Sequence, residues 1–214
     1  WVPSPAAGVD RKLLDRVGEE VARATSVVRY APGCSFPVHQ HAAGEEFLVL
    51  EGVFQDEHGD YPQGTYVRNP PGTAHASRAD NGCTILVKLR QFATTDLTPV
   101  RRTLGAFDER WIGANPQRTR TSLHEVDGEH VAVERWDAKS NVALDTSGGT
   151  EVFVLRGTFE QGGEMFEAGS WLRLPPSTQE SVNVGDSGAI VWIKSGHLLE
   201  PLGLPSLRTA APTL

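Results

Sequence analysis

The chain repeats itself, and that constrains its fold more than any other feature. The stretch from Gly52 to Gly64 (GVFQDEHGDYPQG) matches that from Gly157 to Gly169 (GTFEQGGEMFEAG) at a constant offset of 105. The same offset lays Glu46–Gly52 (EFLVLEG) on Glu151–Gly157 (EVFVLRG), and Arg68–Pro71 (RNPP) on Arg173–Pro176 (RLPP). With small shifts in offset, Trp1 pairs with Trp111, Val27-x-Arg29-Tyr30 with Val133-x-Arg135-Trp136, and Gly82…Lys88 with Gly188…Lys194. Self-similarity of this length means two copies of one structural unit. Each copy is near a hundred residues, long enough for a core of its own. Residues 1–92 form the first unit and 108–200 the second, with a connector from about Gln91 to Arg110 and a Pro- and Leu-bearing tail over 201–214.

Within each copy, short runs of β-branched and aromatic residues alternate with Gly, Pro, Asp and Asn, which predicts strands joined by turns. In the first copy the runs are Val21–Tyr30, Glu46–Phe54, Thr65–Asn69 and Thr84–Leu89. Glu57-His58-Gly59-Asp60 carries the turn residues of a hairpin. Pro70-Pro71 cannot donate to a ladder, so it stops a strand or marks an edge. Val9–Glu20 carries Leu13-Leu14 and charges that would suit a helix, but its counterpart Arg118–His130 looks extended, so both are predicted as strands. The fold class is therefore all-β, with two tandem jelly-roll barrels.

Alternate residues of a strand share a face. His39 and His41 then point to one side, and a turn at Ala42-Ala43-Gly44 brings Glu45 after them. From Glu45 the inward set is Phe47 and Val49, while Glu46, Leu48 and Leu50 face outward. Two imidazoles and a carboxylate converging inside an apolar barrel are costly to bury unless a cation satisfies them. A fourth ligand is supplied by Gly64-x5-Pro70-x-Gly72-x2-His75. The set His39, His41, Glu45 and His75 predicts one divalent metal ion, and zinc, iron, manganese and nickel all suit these four ligands. Phe47, Tyr66 and Arg68 are expected to line the pocket beside it. The offset of 105 carries the four ligands onto Leu144, Thr146, Thr150 and Glu180, which make no credible ligand set, so the second barrel is expected to keep the framework without metal. His58, His124, His130 and His197 have no spaced partner and read as surface or core residues. Lys88 recurs as Lys194 in the metal-free copy, which assigns it a structural task.

The net charge of -7 excludes a phosphate-neutralising surface for nucleic acid. No apolar stretch is long enough for a membrane helix. Cys34 and Cys83 lie in no CxxC pattern and read as small buried residues of a reduced, cytoplasmic protein. The chain opens on Trp1 without a Met, so a preceding segment is left open.

The two ligand stretches match the bipartite cupin motif: Gly33-x5-His39-x-His41-x3-Glu45-x6-Gly52, then Gly64-x5-Pro70-x-Gly72-x2-His75, with Ala79 where the motif usually carries Asn. The wording around them, from Arg29-Tyr30-Ala31-Pro32-Gly33 through Glu45–Gly52 to Phe54–Tyr61 and Gly64–Gly72, resembles the cupin domain of ChrR-type anti-sigma factors. The resemblance covers Trp1 to about Phe92 and extends to the second copy in framework only. It implies a metal-bound barrel, usually with zinc, that restrains an extracytoplasmic-function sigma factor and releases it under oxidative stress. The helical sigma-binding domain of that family has its own HxxxCxxC zinc site, and this sequence contains no such pattern. Related double cupins include dioxygenases of small diketones and aromatic ketones, so an iron enzyme with a small-molecule ligand is the alternative. Cupins also pair through outer strand faces, and Leu48 and Leu50 would suit a homodimer.

Overall fold

The computed structural model describes residues 1–18, 22–93, 95–107, 118–176 and 179–199. Those residues are all-β, and no helix is long and apolar enough to cross a membrane. The tail over 201–214, Trp111 and the end of the predicted connector lie outside the described residues.

The first half contains β1 (Val2–Pro3), β2 (Val9–Val17), β3 (Arg23–Tyr30), β4 (Cys34–Ser35), β5 (His39–Gln40), β6 (Glu45–Asp56), β7 (Gly59–Pro62), β8 (Thr65–Asn69), β9 (Ala74–His75), β10 (Arg78–Ala79), β11 (Cys83–Leu89) and β12 (Val100–Thr103). Ten of these form one curled sheet, in which β6 pairs with β11, β7, β8 and β10, while β5 and β9 pair separately as a two-stranded ribbon. The second half contains β13 (Arg118–Val126), β14 (Glu129–Trp136), β15 (Asn141–Leu144), β16 (Thr150–Gln161), β17 (Glu164–Glu167), β18 (Trp171–Leu174) and β19 (Glu180–Ser195), all in a second sheet. The predicted strand at Val9–Glu20 is present as β2, whereas Arg118–His130 holds a hairpin turn and spans two strands. The predicted connector is also more than a linker, because its β12 pairs with β8 and adds a strand to the first sheet.

The repeat is visible in the backbone. Gly52 (φ 73°) and Gly157 (φ 76°) both adopt the left-handed conformation at an irregularity in the central strand. A Cβ at Gly52 would run into the carbonyl of Gly82, and one at Gly157 into that of Gly188. Glycine is therefore needed twice over at each site, for its φ and for close backbone approach.

β6 is buried on both faces. Its inward residues Phe47, Val49 and Phe54 join Tyr61, Val67, Ile85 and Val87 in the core of the first barrel. The outward residues Leu48 and Leu50 join Tyr66, Leu86, Phe153, Ile190 and Trp192 in a second core between the barrels. On the outer face, Leu48 is covered by the second copy within the same chain, and Leu50 is half-buried at the edge of that contact. Each large apolar side chain so buried contributes roughly 2 kcal/mol.

Charges cross this interface in exchanged pairs. Lys88 lies opposite Glu46 in the ladder of its own barrel, yet its ammonium donates to Glu151 of the other. Lys194 lies opposite Glu151, and its Nζ donates to Glu46 Oε2 at 2.7 Å. The repeated Lys and Glu positions therefore satisfy one another across a pseudo-two-fold axis, the arrangement expected where like surfaces meet. Burial alone would raise both carboxyls, but Lys194 and Arg68 beside Glu46, and Lys88 beside Glu151, outweigh it and hold both well below the usual range. A carboxylate whose folded pKa is depressed adds stability above its unfolded pKa, near 4.5, and loses it as pH falls toward the folded value. His197, pushed down to about 4 mainly by burial, must charge on unfolding and adds a loss that begins near pH 6.5. The urea midpoint is expected to fall from pH 6.5 downward and most steeply below pH 4.5. Glu46→Gln should flatten the steep part. A midpoint equal at pH 7 and pH 3.5 would contradict this.

Candidate metal centre

The β5–β9 ribbon is the local device that assembles the centre. Its register sets His39 directly opposite His75. The backbone N–H of His41 donates to the Thr73 carbonyl at 2.8 Å, and the Gly72 N–H donates to the His41 carbonyl at 2.9 Å, which pins the chain just past β5. The turn at Ala42-Ala43 then delivers Glu45 as the first residue of β6. One ligand-capable atom from each of His39, His41, Glu45 and His75 lies within 4.8 Å of the others, and among the described residues this is the one such cluster. The ring centroids of the three histidines are 4.7 to 5.0 Å apart.

The free ring nitrogens identify the coordinating atoms. His39 Nδ1 lies 3.1 Å from the Pro37 carbonyl, His41 Nδ1 3.3 Å from Thr73 Oγ1, and His75 Nδ1 3.1 Å from Asp56 Oδ2. With Nδ1 engaged, Nε2 is the atom left to face the cluster. The Nε2 atoms of His41 and His75 are buried without a hydrogen-bond partner, 3.4 and 3.5 Å from Glu45 Oε2. An ion or an ordered water would pair such atoms, and the carboxylate beside the two imidazole nitrogens favours a cation. Three imidazole nitrogens and one carboxylate suit zinc, iron, manganese or nickel alike.

The surroundings are poor for charge without a cation. Burial, with the neighbouring imidazoles, pushes His41 down to about 3, and burial also lowers His75. Burial lifts Glu45 up to about 7, although Asn69 Nδ2 donates to its Oε2 at 3.1 Å. A divalent ion among the four would favour the carboxylate and the neutral imidazoles together.

Aromatic rings occupy the barrel interior beside the ligands. Phe36 lies 6.1 Å from His39 and Phe54 5.8 Å from His75, centroid to centroid. Phe54 in turn touches Phe47 at 4.7 Å, Tyr30 at 5.8 Å and Tyr61 at 5.9 Å. His39 is the most exposed of the four, at the rim beside the 71% exposed Val38.

Of the residues expected to line the pocket, Phe47 is in the barrel core behind the ligands. Tyr66 and Arg68 are elsewhere, and that expectation is corrected. In β8 it is Val67 that points inward, so Tyr66 and Arg68 fall on the opposite face and pack between the barrels. Arg68 donates to Glu46 at 2.8 Å, Glu129 at 2.9 Å and Asp96 at 2.5 Å, and it stacks 4.1 Å above Phe92. In the second barrel Leu144, Thr146 and Thr150 are buried where the ligands would stand, and Glu180 Oε2 accepts from Gln161. One residue of the centre escaped the sequence reading. Asp56, behind His75, stands next to the turn residues Glu57–Asp60 in sequence, and only the fold brings it to the imidazole.

Residues 1–93 match the family model described as the ChrR cupin-like domain. The two barrels are cupin barrels. The fold is shared with YhhW from Escherichia coli, at 16% identity and a TM-score of 0.62 over 89% of this chain and 92% of that one. It is shared with a cupin 2 conserved barrel domain protein from Leptotrichia buccalis, at 12% identity and a TM-score of 0.58 over 90% and 91%. It is also shared with salicylate 1,2-dioxygenase from Pseudoaminobacter salicylatoxidans in its adduct with gentisate, at 12% identity and a TM-score of 0.56 over 80% and 67%. No curated protein matches the chain.

Proposed function

We propose that a chain whose first barrel carries the ChrR cupin-like domain works as a regulatory, zinc-holding sensor in the cytoplasm, with a protein partner, an extracytoplasmic-function sigma factor, as its output. The observation that carries the reading is the ring packing behind the ligands. The buried rings of Phe47, Phe54 and Tyr61 pack together behind His75, and the half-buried Phe36 packs beside His39, in the space a substrate would have to enter. A ligand set backed by packed rings suits a closed four-coordinate zinc site. In such a site the chain's own residues do the work. The Nδ1 contacts of the three histidines aim their Nε2 atoms, and Asn69 holds Glu45.

The alternative is an iron-dependent oxygenase of a small diketone or aromatic ketone. The exposure of His39 at the rim supports it, because one side of an ion held there would face solvent. A bound iron would supply Lewis acidity and a place for dioxygen.

Protein purified without added metal is expected to contain one zinc per chain and to bind a purified extracytoplasmic-function sigma factor in a zinc-dependent way. Iron-loaded protein should take up oxygen only at background across a panel of diketones and aromatic ketones. Turnover of any of these, with no sigma-factor binding, would replace the first reading with the second.

A further inference from the structure

We infer that Asp56, Tyr61 and Arg101 form a positioning column behind His75 that sets how tightly the centre holds its ion. The inference rests on the metal-holding reading and adds three residues to it.

Asp56 closes β6 and is 4% exposed. Its Oδ2 lies 3.1 Å from His75 Nδ1 and accepts from the Tyr61 hydroxyl at 2.9 Å. Its Oδ1 accepts from the same hydroxyl at 3.0 Å and from the His58 backbone N–H at 2.8 Å. No ammonium or guanidinium is among these partners, so the carboxylate is directed at the imidazole rather than spent in an ion pair. Of the three histidines, His75 has the anionic support, whereas His41 has a hydroxyl and His39 a carbonyl. A carboxylate on Nδ1 fixes the tautomer, orients the ring and makes Nε2 a stronger donor to a metal. His75 Nε2 is the atom that points into the cluster without another partner.

Tyr61 is held in its turn. Burial, reinforced by Asp56, pushes its hydroxyl up to about 12, so it stays protonated and donates. The Arg101 guanidinium lies 4.0 Å over its ring. Arg101 belongs to β12, in the segment that sequence reading assigned to the connector, and beyond residues 1–93 that match the family model. The support of the centre therefore extends past the stretch that carries its ligands.

A purely structural role for Asp56 is the rival, because its contact with His58 also closes the β6–β7 hairpin. Asp56→Asn separates the two. The amide oxygen can still accept from His58, while the amide group no longer offers His75 a charge. Zinc affinity, measured by chelator competition on the whole chain, is expected to fall about 10- to 100-fold in Asp56→Asn. Tyr61→Phe, which removes the hydroxyl that holds Asp56, and Arg101→Leu, which removes the cation over the ring, should each cost about threefold. The d–d absorption of the cobalt-substituted Asp56→Asn protein should shift, and its metal-free melting temperature should match that of the metal-free wild type. Unchanged zinc affinity in Asp56→Asn overturns the column while leaving the metal centre intact. So does a loss that follows a lowered metal-free melting temperature with an unchanged cobalt spectrum. If Asp56→Asn does not fold, Tyr61→Phe decides, and full affinity there overturns the column. Failure of the wild type to bind zinc or cobalt at all brings down the metal reading and the column together.

Discussion

Alanine at His41 is expected to strip the chain of stoichiometric metal, with affinity falling by more than the roughly 100-fold upper range for losing a group behind a ligand. The side chain is buried, and its Nε2 has no hydrogen-bond partner in the protein. Nothing else among the described residues can replace it, because Asp56 already accepts from His75 and Tyr61, and Asn69 donates to Glu45. The loss should not unfold the barrel. The imidazole there is held neutral by burial, and its removal relieves a group that resists charging. Elemental analysis of the purified variant, with its far-ultraviolet spectrum, checks both halves. One equivalent of metal retained by a folded His41→Ala protein would remove His41 from the centre. The second barrel supplies a control, since Thr146, at the position the repeat assigns to His41, can be changed to alanine with no effect on metal content.

The residues of the centre were legible because strand parity and a short turn act locally. His39 and His41 are two apart, and the turn at Ala42-Ala43 returns the chain before Glu45. His75 was legible through its own motif. Asp56 was not, because its contact with His75 depends on how β6, β7 and β9 curl together, and a carboxylate next to a turn has an ordinary reason to be there. The error at Tyr66 and Arg68 was one of parity. Val67 packs with Phe47 in the barrel core, so its neighbours in β8 must face the other way. A signal for their true place was present in the repeat. Glu46 and Lys88 recur as Glu151 and Lys194 on outer faces of strands that are otherwise apolar. A charge kept in both copies on a face with Leu48 or Trp192 needs an opposite charge within reach, and the other copy is the nearest source. The same reasoning explains why Leu48 packs against the second copy.

Replacing Lys194 by methionine is expected to cost about 3 to 5 kcal/mol, the range for removing one partner from a buried ion pair. Its Nζ is fully enclosed and donates to Glu46 Oε2 at 2.7 Å, with Glu129 Oε1 at 2.9 Å. The methionine fills the space of the stem, so the loss is electrostatic: Glu46 keeps Arg68 at 2.8 Å but loses its counter-charge from the other barrel. Removing the stranded carboxylate as well, in the double variant Lys194→Met with Glu46→Leu, should recover most of the loss. A buried ion pair adds little over apolar residues of the same shape, although breaking it is costly. Thermal melts of the two single variants and the double test this, with the single Lys194→Met falling by about 10 °C. Equal, additive losses would mean that the exchanged pairs do not act as pairs. The comparison also bears on the metal. Glu45 and Glu46 are successive residues of β6, one facing the ligand cluster and the other the second barrel. If the interface only stabilises the fold, the double variant should bind zinc as the wild type does. If β6 transmits strain between its two faces, zinc affinity should drop in Lys194→Met and return in the double variant.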